Sequence, residues 1–122
     1  MKNQAYRMTM LFDFYGDLLT ERQKEFYDLY YNDDLSLAEI AENYDITRQG
    51  VRDIIVRAER TLEDVEEKTG LIRRFHQIRD AAGRLREISG AMDELNRNSL
   101  RNETLDELCR QMDEAVSELE RE

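Results

Sequence analysis

The sequence has no proline and no tryptophan, and only one cysteine, one histidine and five glycines in 122 residues. Without proline, where about 5% is ordinary, nothing breaks a helix from within, and long helices are expected. A single cysteine excludes an internal disulfide framework and points to a reducing, cytoplasmic setting. One histidine and one cysteine cannot complete a zinc site, so His76 and Cys109 read as ordinary helix residues. No apolar run approaches the roughly 18 residues of a membrane span, and no signal-peptide pattern opens the chain. Nor is there a glycine-rich phosphate loop, a nucleophile elbow or a zinc-binding helix motif. No enzyme activity, cofactor, metal or membrane association is therefore expected.

Charge is what the chain has in excess. Charged residues make up 38% against a usual share of about 25%, and the net charge is −10. Taken whole, that balance argues against a nucleic-acid partner. Resolved along the chain it says something else. Residues 47–60 carry four arginines against two acids, and residues 71–86 carry five against one. The acidity sits elsewhere, most densely in residues 103–122, with eight acids against two arginines. The arginines at 73, 74, 79, 84 and 86 either widen a nucleic-acid footprint, including one on structured RNA, or pair with that acidic segment.

Aromatic residues are confined too: all six tyrosines and four phenylalanines lie at or before Phe75. The composition shift places a boundary near Gly70, giving a domain over residues 1–70 and a helical arm over 71–122. Periodicity predicts a first helix over residues 4–18 with Leu11, Phe14, Tyr15 and Leu18 inward. Thr20 and Gln23 form a capping box for a second helix with Phe26, Leu29 and Tyr30 inward, and Ser36 and Glu39 form another for a third. Thr47 caps a long fourth helix that Gly70 stops. Beyond it, Ile72, Phe75, Ile78, Ala82 and Leu85, then Leu105, Leu108, Met112, Ala115 and Leu119, trace two narrow seams separated by a turn at residues 96–99. They form either an antiparallel hairpin or a homodimer interface.

Residues 36–58 fit the helix-turn-helix template. Ile40 and Ala41 occupy the buried positions of the first helix, Tyr44 and Ile46 flank the bend, and Val51 and Ile54 anchor the second helix. Two steeply crossing helices need a small residue such as Ala41 at closest approach. The turn needs a residue that tolerates left-handed geometry, a place given to Asp45. A recognition helix reads bases with its N-terminal side chains, which makes Arg48, Gln49 and Arg52 the candidates, with Arg57 further along. The Ser36 and Thr47 hydroxyls, at helix N-termini, are placed to meet phosphates. Asp53 opposes phosphate, and Val56 adds an apolar group to the outer face. Acidic pairs such as Glu66–Glu67 read as solvated helix faces.

These residues resemble known families. Residues 20–60, with LTERQKEFYDLYY, DLSLAEIAE and ITRQGVRDIIVRAER, look like region four of bacterial sigma factors. The run LFDFYGDLLTERQ (residues 11–23) through the fourth helix is similar to the YlxM-like family of helix-turn-helix proteins, over about residues 5–75. The resemblance implies an all-α, DNA-binding fold and a regulatory link to the signal recognition particle pathway, with one of its components as a partner. Two readings stay open: a DNA-binding regulator, and a protein-interaction adaptor that keeps the fold without DNA affinity.

Overall fold

The computed structural model describes residues 5–121, and these form six α-helices and no strand. The predicted start of the first helix at Gln4 lies outside the described residues. Helix α1 spans Ala5–Tyr15 and passes into a single 3₁₀ turn, Gly16–Leu18. Its inward row is Met8, Leu11 and Tyr15, continued by Leu19. Phe14 and Leu18, expected inside, are exposed, Leu18 by 62%. The helical turn closes at Leu18, and Leu19 leaves it in an extended conformation (φ −82°, ψ 156°), with its side chain rather than that of Leu18 in the core.

Helix α2, Glu21–Tyr31, starts at the Thr20–Gln23 capping box, with both reciprocal hydrogen bonds formed. It buries Phe26, Tyr27 and Tyr30, while Leu29 is partly buried. The Tyr27 hydroxyl donates to the Met8 carbonyl at 2.7 Å, and its ring stacks on Phe12. Burial pushes the Tyr27 phenol far above its ordinary pKa, so it stays a neutral donor. Helix α3, Leu37–Tyr44, opens at the Ser36–Glu39 capping box.

Helix α4, Arg48–Thr69, is the spine of this part of the chain. Its Val51 and Ile55 pack with Phe26, Tyr30, Ile40 and Ala41 in one cluster. Its Ala58 and Leu62 pack with Leu11, Tyr15 and Tyr27 in another. Gly70 ends the helix in a left-handed conformation (φ 62°), with its amide on the Glu66 carbonyl. Glu66 does not lie on a solvated face: it is buried, and its Oε1 accepts from the Tyr15 hydroxyl at 2.7 Å and from the Ile72 amide at 3.0 Å. Those two donors, one from α1 and one from the chain just past Gly70, make the burial of a carboxylate tolerable.

Helix α5, Leu71–Leu95, leads through a π-helical turn, Asn96–Leu100, to helix α6, Glu103–Glu120. The described residues divide into two compact units at the Ile72–Arg73 bond. In the second unit α5 and α6 run antiparallel, as Ser89 Oγ on Asp113 and the Arg86–Glu120 ion pair require. Buried Asn96 ties the turn, giving its amide to the Asn102 carbonyl at 3.0 Å and accepting the Asn102 amide at 2.7 Å. The row turned inward is Ala82 and Ser89 on α5, continued by Asn96 at the start of the turn, with Cys109 and Val116 on α6. On α6 this is one residue out of phase with the predicted seam: Leu108, Ala115 and Leu119 are exposed, while Leu105 and Met112 are partly buried. The inward positions were given to small and polar residues, which a search for large apolar side chains passes over.

Candidate nucleic-acid interface

The bend between α3 and α4 is set by Asp45, which adopts the left-handed conformation (φ 54°, ψ 45°) expected of it. The amides of Asp45 and Ile46 both donate to the Ala41 carbonyl, closing the end of α3. The side of the bend packed toward α2 is apolar, and the Tyr44 ring meets Phe26 edge-on at 4.8 Å. Thr47 then caps α4, its hydroxyl oxygen accepting the Gly50 amide at 2.9 Å. A side chain at Gly50 would bring its Cβ to 3.1 Å from that oxygen, so glycine keeps the cap open.

Six residues were expected to touch nucleic acid. Ser36 and Thr47 serve first as caps, accepting from the Glu39 and Gly50 amides. A hydroxyl that accepts in this way keeps its own proton to give, so both remain competent to donate to a phosphate oxygen. Arg48, Gln49, Arg52 and Arg57 are all exposed on α4. At about 100° per residue, Arg48 and Arg52 share one side of the outer face, Gln49 lies near its centre and Arg57 falls on the opposite side. The fold therefore brings Arg48, Gln49 and Arg52 together with the Thr47 cap, whereas Arg57 stands apart from Arg52.

Among the described residues, the side chains of Arg48, Arg52, Arg57 and Arg60 have no hydrogen-bond or ion-pair partner. Four unneutralised guanidinium groups along one helix in an acidic protein form a local positive face. One acid interrupts it. Asp53 lies one turn beyond Gln49 and accepts its side-chain amide at 2.9 Å, an i,i+4 bond that holds Gln49 along the helix. The Gln49 carbonyl oxygen is left to accept, and reading an adenine with both amide atoms requires that Asp53 release it. The i,i+4 spacing of Gln49 and Asp53 is the signal in the sequence for this partner, beside the repulsion of phosphate that the Asp53 charge implies.

The five arginines of α5 are divided: Arg86 pairs with Glu120 and Arg79 reaches the Glu120 carbonyl, while the Arg84 side chain has no hydrogen-bond or ion-pair partner among the described residues. Burial, with Asp93 and Asp113 near, pushes the Cys109 thiol up, away from the thiolate form. No group of His, Cys, Asp and Glu among the described residues is placed to hold a metal, and no described helix is long and apolar enough to cross a membrane.

The profile of the family described as "Putative helix-turn-helix protein, YlxM / p13 like" matches residues 2–108. The chain belongs to this family, UPF0122. A UPF0122 protein of Thermoanaerobacter sp. strain X514 is 41% identical over 107 residues, covering 88% of this chain and 92% of that one. One from Bacillus velezensis is 44% identical over 102 residues, covering 84% and 93%. A UPF0122 protein of Desulforamulus reducens is 56% identical over 74 residues, 61% of this chain and 63% of its own length. The UPF0122 assignment agrees with the all-α helix-turn-helix architecture.

Proposed function

We propose that this UPF0122 protein is a non-enzymatic regulator that binds duplex DNA through the N-terminal half of α4. The observation that carries the reading is the group of exposed, unpartnered arginines on the outer face of the second helix of a helix-turn-helix. Arg48 and Arg52 are the base or phosphate contacts on one side, Gln49 the central reader, Arg57 a phosphate contact further along. Ser36 and Thr47 donate to the backbone and fix register. The acidic remainder of the chain repels phosphate, so binding away from this face is weak. The resemblance to YlxM-like proteins extends the role to control of the signal recognition particle pathway.

The test is selection of bound duplexes from a random pool, followed by affinity measurements with Arg48→Ala/Gln49→Ala. The variant loses sequence preference with unchanged helical content. Preference retained in the variant removes α4 as the reading helix. If no duplex binds at low salt while a protein co-purifies with the native chain, the adaptor reading stands instead; the Asp53 carboxylate within the outer face is the feature that favours it.

A further inference from the structure

The α5–α6 unit leaves an apolar flank beside its buried row. On both helices the exposed apolar residue immediately precedes an inward one: Ile88 before Ser89, Leu95 before Asn96, Leu108 before Cys109, Ala115 before Val116. Each therefore lies about 100° to the same rotational side of its own helix's inward row. Because the helices are antiparallel, equal rotations bring the two flanks to the same side of the hairpin. Ile88, Leu95 and Leu108 are exposed by 54%, 55% and 52%, and Leu119 extends the flank of α6 at 49%. Two helices with a coherent apolar side are half of a four-helix bundle.

The margins of this side carry charge. Arg84 and Glu118 occupy equivalent places, each two residues past an inward residue (Ala82, Val116) and just beyond the apolar flank. Both side chains lack a hydrogen-bond or ion-pair partner among the described residues. They also sit at one level of the hairpin: Ser89 meets Asp113 across it, and five residues back along α5 and five on along the antiparallel α6 lead to Arg84 and Glu118. A two-fold axis parallel to the helices would lay α5 of one copy on α6 of the other, at the same level as within the hairpin. Arg84 would then face Glu118 of the second copy, twice. A two-fold axis perpendicular to the helices would instead set α5 on α5, and the arginine margin against itself.

We infer that the apolar side of the α5–α6 hairpin is the interface of a homodimer, built as a four-helix bundle with its two-fold axis along the helices and closed by reciprocal Arg84–Glu118 pairs. Sedimentation velocity of the full chain across the micromolar range tests it. The native chain sediments at twice the chain mass. Leu85→Glu/Ile88→Glu, both at exposed positions, sediments as a monomer with its helical circular dichroism retained. Arg84→Glu weakens the dimer severalfold by facing two carboxylates, and Arg84→Glu/Glu118→Arg restores it. Because the charge variants leave the apolar residues intact, they remain decisive should the first variant fold poorly. A native chain that is monomeric throughout, a dimer that survives Leu85→Glu/Ile88→Glu, or a double charge variant no tighter than Arg84→Glu overturns the proposal. Each readout is independent of DNA, so it fails or stands apart from the proposed function.

Discussion

In the first unit, Leu11, Phe26, Tyr27, Ile40, Ile55 and Leu62 are wholly removed from solvent. In the second, the inward positions are Ala82, Ser89, Asn96, Cys109 and Val116, and leucines and isoleucines stand outside them. Three helices pack on α4 in the first unit, so large side chains from several directions can close on one another. A two-helix hairpin has a single inward line, and the large residues beside it, Ile88, Leu95 and Leu108 among them, are exposed. Large apolar residues thus make a closed core in one place and an open face in the other.

The largest expected effect that sharpens this contrast is Phe26→Ala. It removes a fully buried ring between α2, α3 and α4 and destabilises the first unit by about 4 kcal/mol. Tyrosine fluorescence in a urea titration reads it cleanly, because every tyrosine lies at or before Tyr44. Glu66→Ala follows, at about 2 kcal/mol in the same titration: the Ile72 amide and Tyr15 hydroxyl lose a buried acceptor. A loss within a few tenths of zero would return Glu66 to the solvated face the sequence suggested.

Smaller effects divide the units. Val116→Ala removes two buried carbon groups, worth about 1.5 kcal/mol, from the hairpin. It lowers the midpoint of the helical circular dichroism transition and leaves the tyrosine transition in place; equal shifts in both would show that the units unfold together. Asp45→Ala, at a left-handed position, costs about 1 kcal/mol, whereas Asp45→Gly does not destabilise. A neutral Asp45→Ala would mean that the bend is held by packing alone.

Local chemistry was the legible part of the fold. The Thr20–Gln23 and Ser36–Glu39 boxes, the Thr47 cap, the left-handed Asp45 and the Gly70 stop are each fixed by neighbours within a few residues, and each stands as read. Tertiary exceptions were not legible. Glu66 lies four residues after Leu62 on the inward stripe, yet its charge directed it outward; only the donors from Tyr15 and Ile72, brought together by folding, make its burial possible. Leu18 exchanged places with Leu19 because the helix ends at Leu18 and Leu19 continues in extended backbone, and the α6 seam slipped because Cys109 lies inward and Leu108 does not. At the candidate interface, the grouping of Arg48, Gln49 and Arg52 follows from helical spacing. The engagement of Gln49 by Asp53 needed side-chain geometry.

The most direct test of the central claim, that the outer face of α4 meets DNA phosphates and bases, is a salt titration of duplex binding by the native chain and by Arg48→Ala/Arg52→Ala. The slope of log affinity against log salt is expected to be negative for the native chain and shallower by about 2 in the variant, one for each arginine that neutralises a phosphate. An arginine that reads a base instead weakens the preferred sequence selectively. A variant whose slope and sequence preference both match those of the native chain would contradict the account.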